Sequence, residues 1–197
     1  MDKVKKHKKM KYKIGVFGSA EGDFEKIHNI AIELGSVLAK KNLIVITGAS
    51  KGLPYQVATS VKKEGGEVWG YSPVTDFLRY QEFFPEFDAS VFKKLIYIPK
   101  DYEFARDRTI SAKLRNVFST SHCDAGIIIS GRWGTLNEFT NLFDMGKVIG
   151  VLTGTGGIAD ELENLSRKIK KKSKARVFFN SNPEILVSDI LITLKTQ

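Results

Sequence analysis

An unbroken apolar run, Ala125 to Ile129, stops in the small-residue turn Ser130-Gly131-Arg132-Trp133-Gly134. Apolar residues then return at helical spacing, at Leu136, Phe139, Leu142 and Phe143. A run with no polar alternation is a strand buried on both faces, and the turn into a helix makes it half of a strand-loop-helix unit. At such a junction the unpaired N–H groups of the first helical turn point beyond the strand end, and the helix dipole favours an anion there. A phosphate is the expected guest. Glu138 lies three residues after Thr135, on the same side of the helix mouth, where it would face that guest.

The same pattern recurs along the chain. Ile14 to Phe17 runs into Gly18-Ser19-Ala20, and Phe24, Ile27, Ile30, Ala31, Leu34, Val37 and Leu38 follow at helical spacing. Leu43 to Ile46 runs into a loop at 47–54 and a helix from about Tyr55 to Lys63, which Gly65-Gly66 closes before a third strand, Val68 to Tyr71. Residues 72–92 are irregular and rich in phenylalanine, which predicts an ordered excursion or a subunit contact rather than a loose loop. Leu95 to Ile98 is the next strand. A helix over about Thr109 to Ser121 is expected to turn Ile110, Leu114, Val117 and Phe118 inward. Val148 to Leu152, a flexible loop at 153–157, a helix over about Ala159 to Lys171, the strand Val177 to Phe179 and a helix opened by Pro183 complete the chain. Alternating strands and helices predict a doubly wound α/β fold with a mostly parallel sheet of about seven strands and helices on both faces. The 197 residues suit one such domain, over 12–197, behind a disordered basic tail at 1–11.

The net charge of +9 is compatible with nucleic acid, but its distribution argues otherwise. Seven lysines lie between Lys3 and Lys13 and seven basic residues between Arg167 and Arg176. Neither run is interleaved with aromatics for base stacking, so both are expected to be solvated. No apolar stretch approaches the roughly 20 residues that span a bilayer, and a cytoplasmic protein without membrane contact is expected. The lone Cys123 reads as a small buried hydrophobe rather than a nucleophile. Asp124 reads as structural, and His28 and His122 as helix-surface and helix-end residues. No metal site and no cofactor are expected.

Three loops rich in Gly, Ser and Thr at strand carboxyl ends, at 18–20, 47–52 and 130–135, outline a nucleotide-sized crevice. None has GxGxxG spacing or a Walker ending. Ser130-Gly131-Arg132-Trp133-Gly134-Thr135-Leu136-Asn137-Glu138 resembles the PGGxGTxxE motif of the Lonely Guy proteins, the cytokinin-activating phosphoribohydrolases once misnamed lysine decarboxylases. Arg115, 23 residues before Glu138, matches that family's spacing between arginine and glutamate. Gly15-Val16-Phe17-Gly18-Ser19-Ala20 and Thr47-Gly48-Ala49-Ser50-Lys51-Gly52-Leu53 are similar to its opening turn and its TGGGxxGLM loop. Arg115-Asn116 with Ser121-His122-Cys123-Asp124-Ala125 is most similar to a bacterial branch of uncharacterised Rossmann-like nucleotide-binding members.

The resemblance implies a Rossmann-like fold and a homo-oligomer, usually a dimer. It also implies hydrolysis of the N-glycosidic bond of a nucleoside 5′-monophosphate to free base and ribose 5-phosphate. Glu138 and Arg115 would be catalytic, the arginine holding carboxylate or substrate by paired N–H donors. The phosphorylated ligand would lie against Gly18, Ser19, Gly48, Ser50, Gly52, Gly131, Arg132, Trp133, Gly134 and Thr135. Ser130 and Arg132 stand where the family has proline and glycine, Ala49-Ser50 interrupts its glycine run, and Asn116 stands where the cytokinin enzymes have lysine. If the lost glycine had a left-handed backbone, Arg132 would carry about 1 kcal/mol of strain. Two other readings stay open: a non-catalytic binder, either a nucleotide sensor or a carrier like the molybdenum-cofactor carriers, and a single-stranded nucleic-acid binder like the DNA-processing recombination mediators.

Overall fold

A computed structural model describes residues 11–21 and 25–197. Most of the basic tail and Phe24 lie outside these. Seven strands form one parallel sheet in the order β4-β3-β2-β1-β5-β6-β7. They are β1 (Lys13–Gly18), β2 (Ile44–Gly48), β3 (Glu67–Ser72), β4 (Lys94–Tyr97), β5 (Ala125–Ile129), β6 (Val148–Leu152) and β7 (Arg176–Asn180). Every strand pairing is parallel.

The helices are α1 (His28–Lys40), α2 (Leu53–Lys63), α3 (Phe77–Phe83), α4 (Arg108–Ser121), α5 (Trp133–Asp144), α6 (Gly157–Lys168) and α7 (Pro183–Lys195). Strand side chains alternate between two cores. Ile14, Val16, Val45, Ala125, Ile127 and Ile129 pack with Leu34 and Leu38 of α1, Val57 and Val61 of α2 and Leu186 and Ile190 of α7. Phe17, Ile46, Ile128, Ile149 and Val151 pack with Phe139 and Leu142 of α5 and Leu162 of α6. Period-two alternation thus divides each apolar run between two helical layers. Asp124 does not end α4, whose C-cap is His122; its Oδ2 accepts from Lys13 N at 2.7 Å and ties β1 to the start of β5.

Three sequence expectations change. On α4 the buried residues are Ser111, Asn116, Ser119 and Thr120, whereas Ile110, Leu114 and Phe118 are half-buried and Val117 is 41% exposed. Burying hydroxyls costs little here because the helix itself satisfies them: Ser119 Oγ and Thr120 Oγ1 donate to the Asn116 carbonyl at 3.1 and 2.7 Å. α6 ends at Lys168, three residues early, so the lysines after it lie in an exposed connection. The loop at 153–157 is ordered, with Thr155 buried.

The phenylalanine-rich excursion packs on its own chain. Tyr80, Val91 and Phe92 enter the core and Phe87 meets Tyr55 edge-on at 4.9 Å. Among the described residues no helix is long and apolar enough to cross a membrane.

Candidate functional site

The strand order reverses direction between β1 and β5, so the connections leaving their carboxyl ends diverge and leave a crevice. Gly18 pairs with Ile129 at that edge. A cavity of about 150 Å³ opens there, lined by Gly18, Ser19, Gly48, Ser50, Lys51, Arg115, Asn116, Arg132, Gly134, Thr135 and Glu138 among others. All three small-residue loops therefore reach one place.

Arg115 enters from α4 and Glu138 from α5, the helices before and after β5. The Arg115 guanidinium lies over the end of β2, where a β-carbon on Gly48 would collide with its Nη1. Glycine at 48 leaves the guanidinium this position, and any larger side chain would push it aside. Among the described residues, Arg115 Nε is buried without a hydrogen-bond partner, and Glu138, only 7% exposed, accepts no hydrogen bond. Among the described residues no hydrogen bond or ion pair joins the two, so of the two roles expected for Arg115, holding the carboxylate or the substrate, the first is not formed here, and the interaction between the pair is electrostatic. Burial pushes the Glu138 carboxyl up to about 7, and the Arg115 charge opposes that rise. Burial also lowers the Arg115 guanidinium, against the Glu138 charge. A buried carboxyl and a half-buried guanidinium, each able to take a polar ligand, thus face one cavity.

The remaining predicted residues divide. Gly18, Ser19, Gly48, Ser50, Arg132, Gly134 and Thr135 line the cavity; Gly52, Gly131 and Trp133 do not. Gly52, at φ 96°, begins α2, where a β-carbon would strike the Ser19 carbonyl, and Leu53 N donates to that carbonyl at 3.0 Å. Its place is to join the first two loops. Gly131, at φ 104°, shapes the turn into α5 from behind, and Trp133 is 80% exposed.

Arg132 is extended (φ −130°), so the strain expected there is absent; the left-handed residue is Ser130, at φ 52°. Three bonds, one to the loop after β6 and two from the first turn of α6, hold that turn. Ser130 N donates to Thr155 Oγ1 at 2.8 Å, Ile158 N to the Gly131 carbonyl at 2.8 Å, and Ala159 N to the Ser130 carbonyl at 3.2 Å. No side chain caps α5, and Thr135, three residues inside, is buried rather than capping. The first-turn N–H groups are thus available at the cavity wall.

Sequence reading missed Lys51 and Glu21. Glu21 crosses the mouth to Lys51 Nζ at 3.1 Å and Arg132 Nη2 at 3.0 Å. Hydrogen bonds from Lys51 and then Arg132 hold its carboxyl below the usual range. The signal was an acid placed just past a small-residue strand end, opposite two basic loops. Asn116 Oδ1 and Thr47 Oγ1 are also buried without partners, and Asn116 Nδ2 donates to Asn137 Oδ1 at 3.1 Å. Among the described residues no cluster of three or more His, Cys, Asp or Glu could hold a metal ion.

An all-parallel sheet with small-residue loops meeting at its switch point defines a Rossmann-like fold of the nucleotide- and cofactor-binding type. More narrowly, the chain belongs to the SLOG cluster4 family, whose model matches residues 11–187, in agreement with the Lonely Guy-like resemblance of its motifs. An uncharacterized protein of Archaeoglobus fulgidus is 26% identical over 139 residues, 71% of this chain and 78% of that one. TM1055, a structural-genomics target, aligns with a TM-score of 0.74 at 21% identity, covering 92% of this chain and 99% of the other. The molybdenum cofactor carrier protein of Chlamydomonas reinhardtii aligns at 0.62 with 20% identity, covering 95% and 100%. DNA processing protein A of Streptococcus pneumoniae aligns at 0.66 with 13% identity, covering 91% and 62%. At these identities the likeness to solved structures is one of fold.

Proposed function

We propose that the protein binds a nucleoside 5′-monophosphate and hydrolyses its N-glycosidic bond. The observation that carries the reading is the pair Arg115, half-buried with its Nε unpartnered, and Glu138, buried and accepting no hydrogen bond, over one cavity at the mouth of an uncapped helix. The first turn of α5 takes the 5′-phosphate and Arg115 orients the sugar phosphate by N–H donation. As the bond from C1′ to the base nitrogen lengthens, positive charge grows on the ribose, and the Glu138 carboxylate stabilises it. Water adds its oxygen to C1′, its proton passes to Glu138, the base leaves with the bonding electrons, and the proton is handed on through solvent to the departed base so that the carboxylate is regenerated. A carboxyl near 7 suits this exchange, since general-base efficiency peaks where the pKa meets the working pH. Glu138→Gln is expected to retain AMP binding while base release falls about 10²–10⁴-fold. A wild type that releases no base from a panel of nucleoside monophosphates would end the reading.

A non-catalytic carrier or sensor is the second reading. It is favoured by the Arg132-Glu21 bridge across the mouth, where the resembling enzymes have glycine, and by the fold shared with a molybdenum cofactor carrier. Mass spectrometry of small molecules co-purified with the protein decides it: a retained phosphorylated cofactor that turns over no faster with the protein present supports a carrier. Single-stranded nucleic acid is the third reading, and oligonucleotide affinity without steep salt dependence would remove it. A homo-oligomer, the family expectation, is supported by the half-exposed apolar stripe of α4.

A further inference from the structure

Glu21, Lys51 and Arg132 come from three separate connections: the turn after β1, the loop before α2, and the residue preceding α5. They meet at the cavity mouth, with one Glu21 oxygen on each cation at 3.1 and 3.0 Å. Lys51 and Arg132 both line the cavity. All three side chains are more than half exposed, so the bridges contribute little to stability and are easily exchanged. Two cations from different loops converging on one anionic group is the geometry a phosphate needs, and Arg132 also stands at the positive end of α5. A phosphate dianion carries more charge than a carboxylate and has three oxygens to share, so it out-competes Glu21 at this position.

We propose that Lys51 and Arg132 form the outer half of the ligand's phosphate site and that Glu21 is the built-in anion the phosphate displaces. The proposal rests on the reading that the ligand is phosphorylated, not on catalysis. It makes Glu21 a selector: an uncharged nucleoside cannot replace it, whereas a phosphorylated ligand can.

Calorimetric titration of the full chain with inorganic phosphate, AMP and adenosine tests this. Removing the competing carboxylate in Glu21→Gln is expected to tighten phosphate and AMP by about three- to tenfold and leave adenosine unchanged. Lys51→Met is expected to weaken both phosphorylated probes by about tenfold or more. If Glu21 were only a strap holding the loops, Glu21→Gln would weaken phosphate or leave it unchanged, and either result overturns the proposal. So does an unchanged affinity in Lys51→Met, or a wild type without saturable phosphate binding. Base release is not read in this experiment. A protein with the expected phosphate pattern that never releases base upholds the displaced carboxylate and ends hydrolysis, whereas base release with unresponsive Lys51 and Glu21 variants does the reverse.

Discussion

Glu138 is ionised at a cost to the fold. Its pKa, raised to about 7 in the folded chain against an unfolded value of 4.5, means that the native state binds the extra proton between those limits. Stability is therefore highest below the lower value and falls as pH rises through the window, by roughly 3 kcal/mol once the carboxyl is fully ionised. Glu138→Gln, which mimics the neutral acid, is expected to be more stable than wild type by about 1–3 kcal/mol at pH 8 and no more stable at pH 4. Denaturant titrations at the two pH values check this, and equal gains at both would contradict it. Arg115 has the complementary effect, since its charge holds the Glu138 value down. Arg115→Met should move the acidic limb of the pH–activity profile upward as well as weaken binding. An unmoved limb would show that the guanidinium does not act on the carboxylate.

The strand-loop-helix units were legible in the sequence because parallel strands buried on both faces must be continuous apolar runs, and all seven appear within a residue or two of their predicted bounds. α4 was not legible in the same way. Its apolar residues Ile110, Leu114 and Val117 have the spacing of a core face, yet Ser111, Asn116, Ser119 and Thr120 are the ones buried. Small side chains on that face let the helix approach the sheet closely enough for Arg115 to reach over Gly48, a demand of the site that hydrophobic spacing does not record. The motif from Ser130 to Glu138 marked the turn into α5, but not which non-glycine residue carries the left-handed backbone or what supports it. That support comes from the loop after β6 and the first turn of α6, through contacts 25 or more residues apart in the chain. Thr155→Val removes the acceptor for Ser130 N and leaves a buried donor unpaired, so a loss of about 1–3 kcal/mol is expected, with weaker phosphate binding, by thermal denaturation and calorimetry. Unchanged phosphate affinity would mean that the turn holds its shape without this support. The Glu21 bridge was missed for another reason: exposed charge pairs leave no periodic trace, and only the position of the acid just past a strand end marked it.

For the molecule as a whole, the α4 stripe sets an expectation about association. Val117→Glu places a charge on a half-exposed apolar strip without touching the cavity lining. If copies of the chain meet there, sedimentation should show the variant as a monomer at concentrations where the wild type associates; identical profiles would remove α4 from any contact. The order of the sheet has a different consequence, for how the molecule comes into being. β1 is made first, yet it sits centrally between β2 and β5. During synthesis its second edge has no neighbour until Ala125–Ile129 has left the ribosome, so the nascent amino-terminal half carries an open template for wrong pairing. The strand that closes this edge, β5, lies between α4 and α5, which bring Arg115 and Glu138 to the cavity. Protection from misassembly and completion of the candidate site are therefore acquired in one late step.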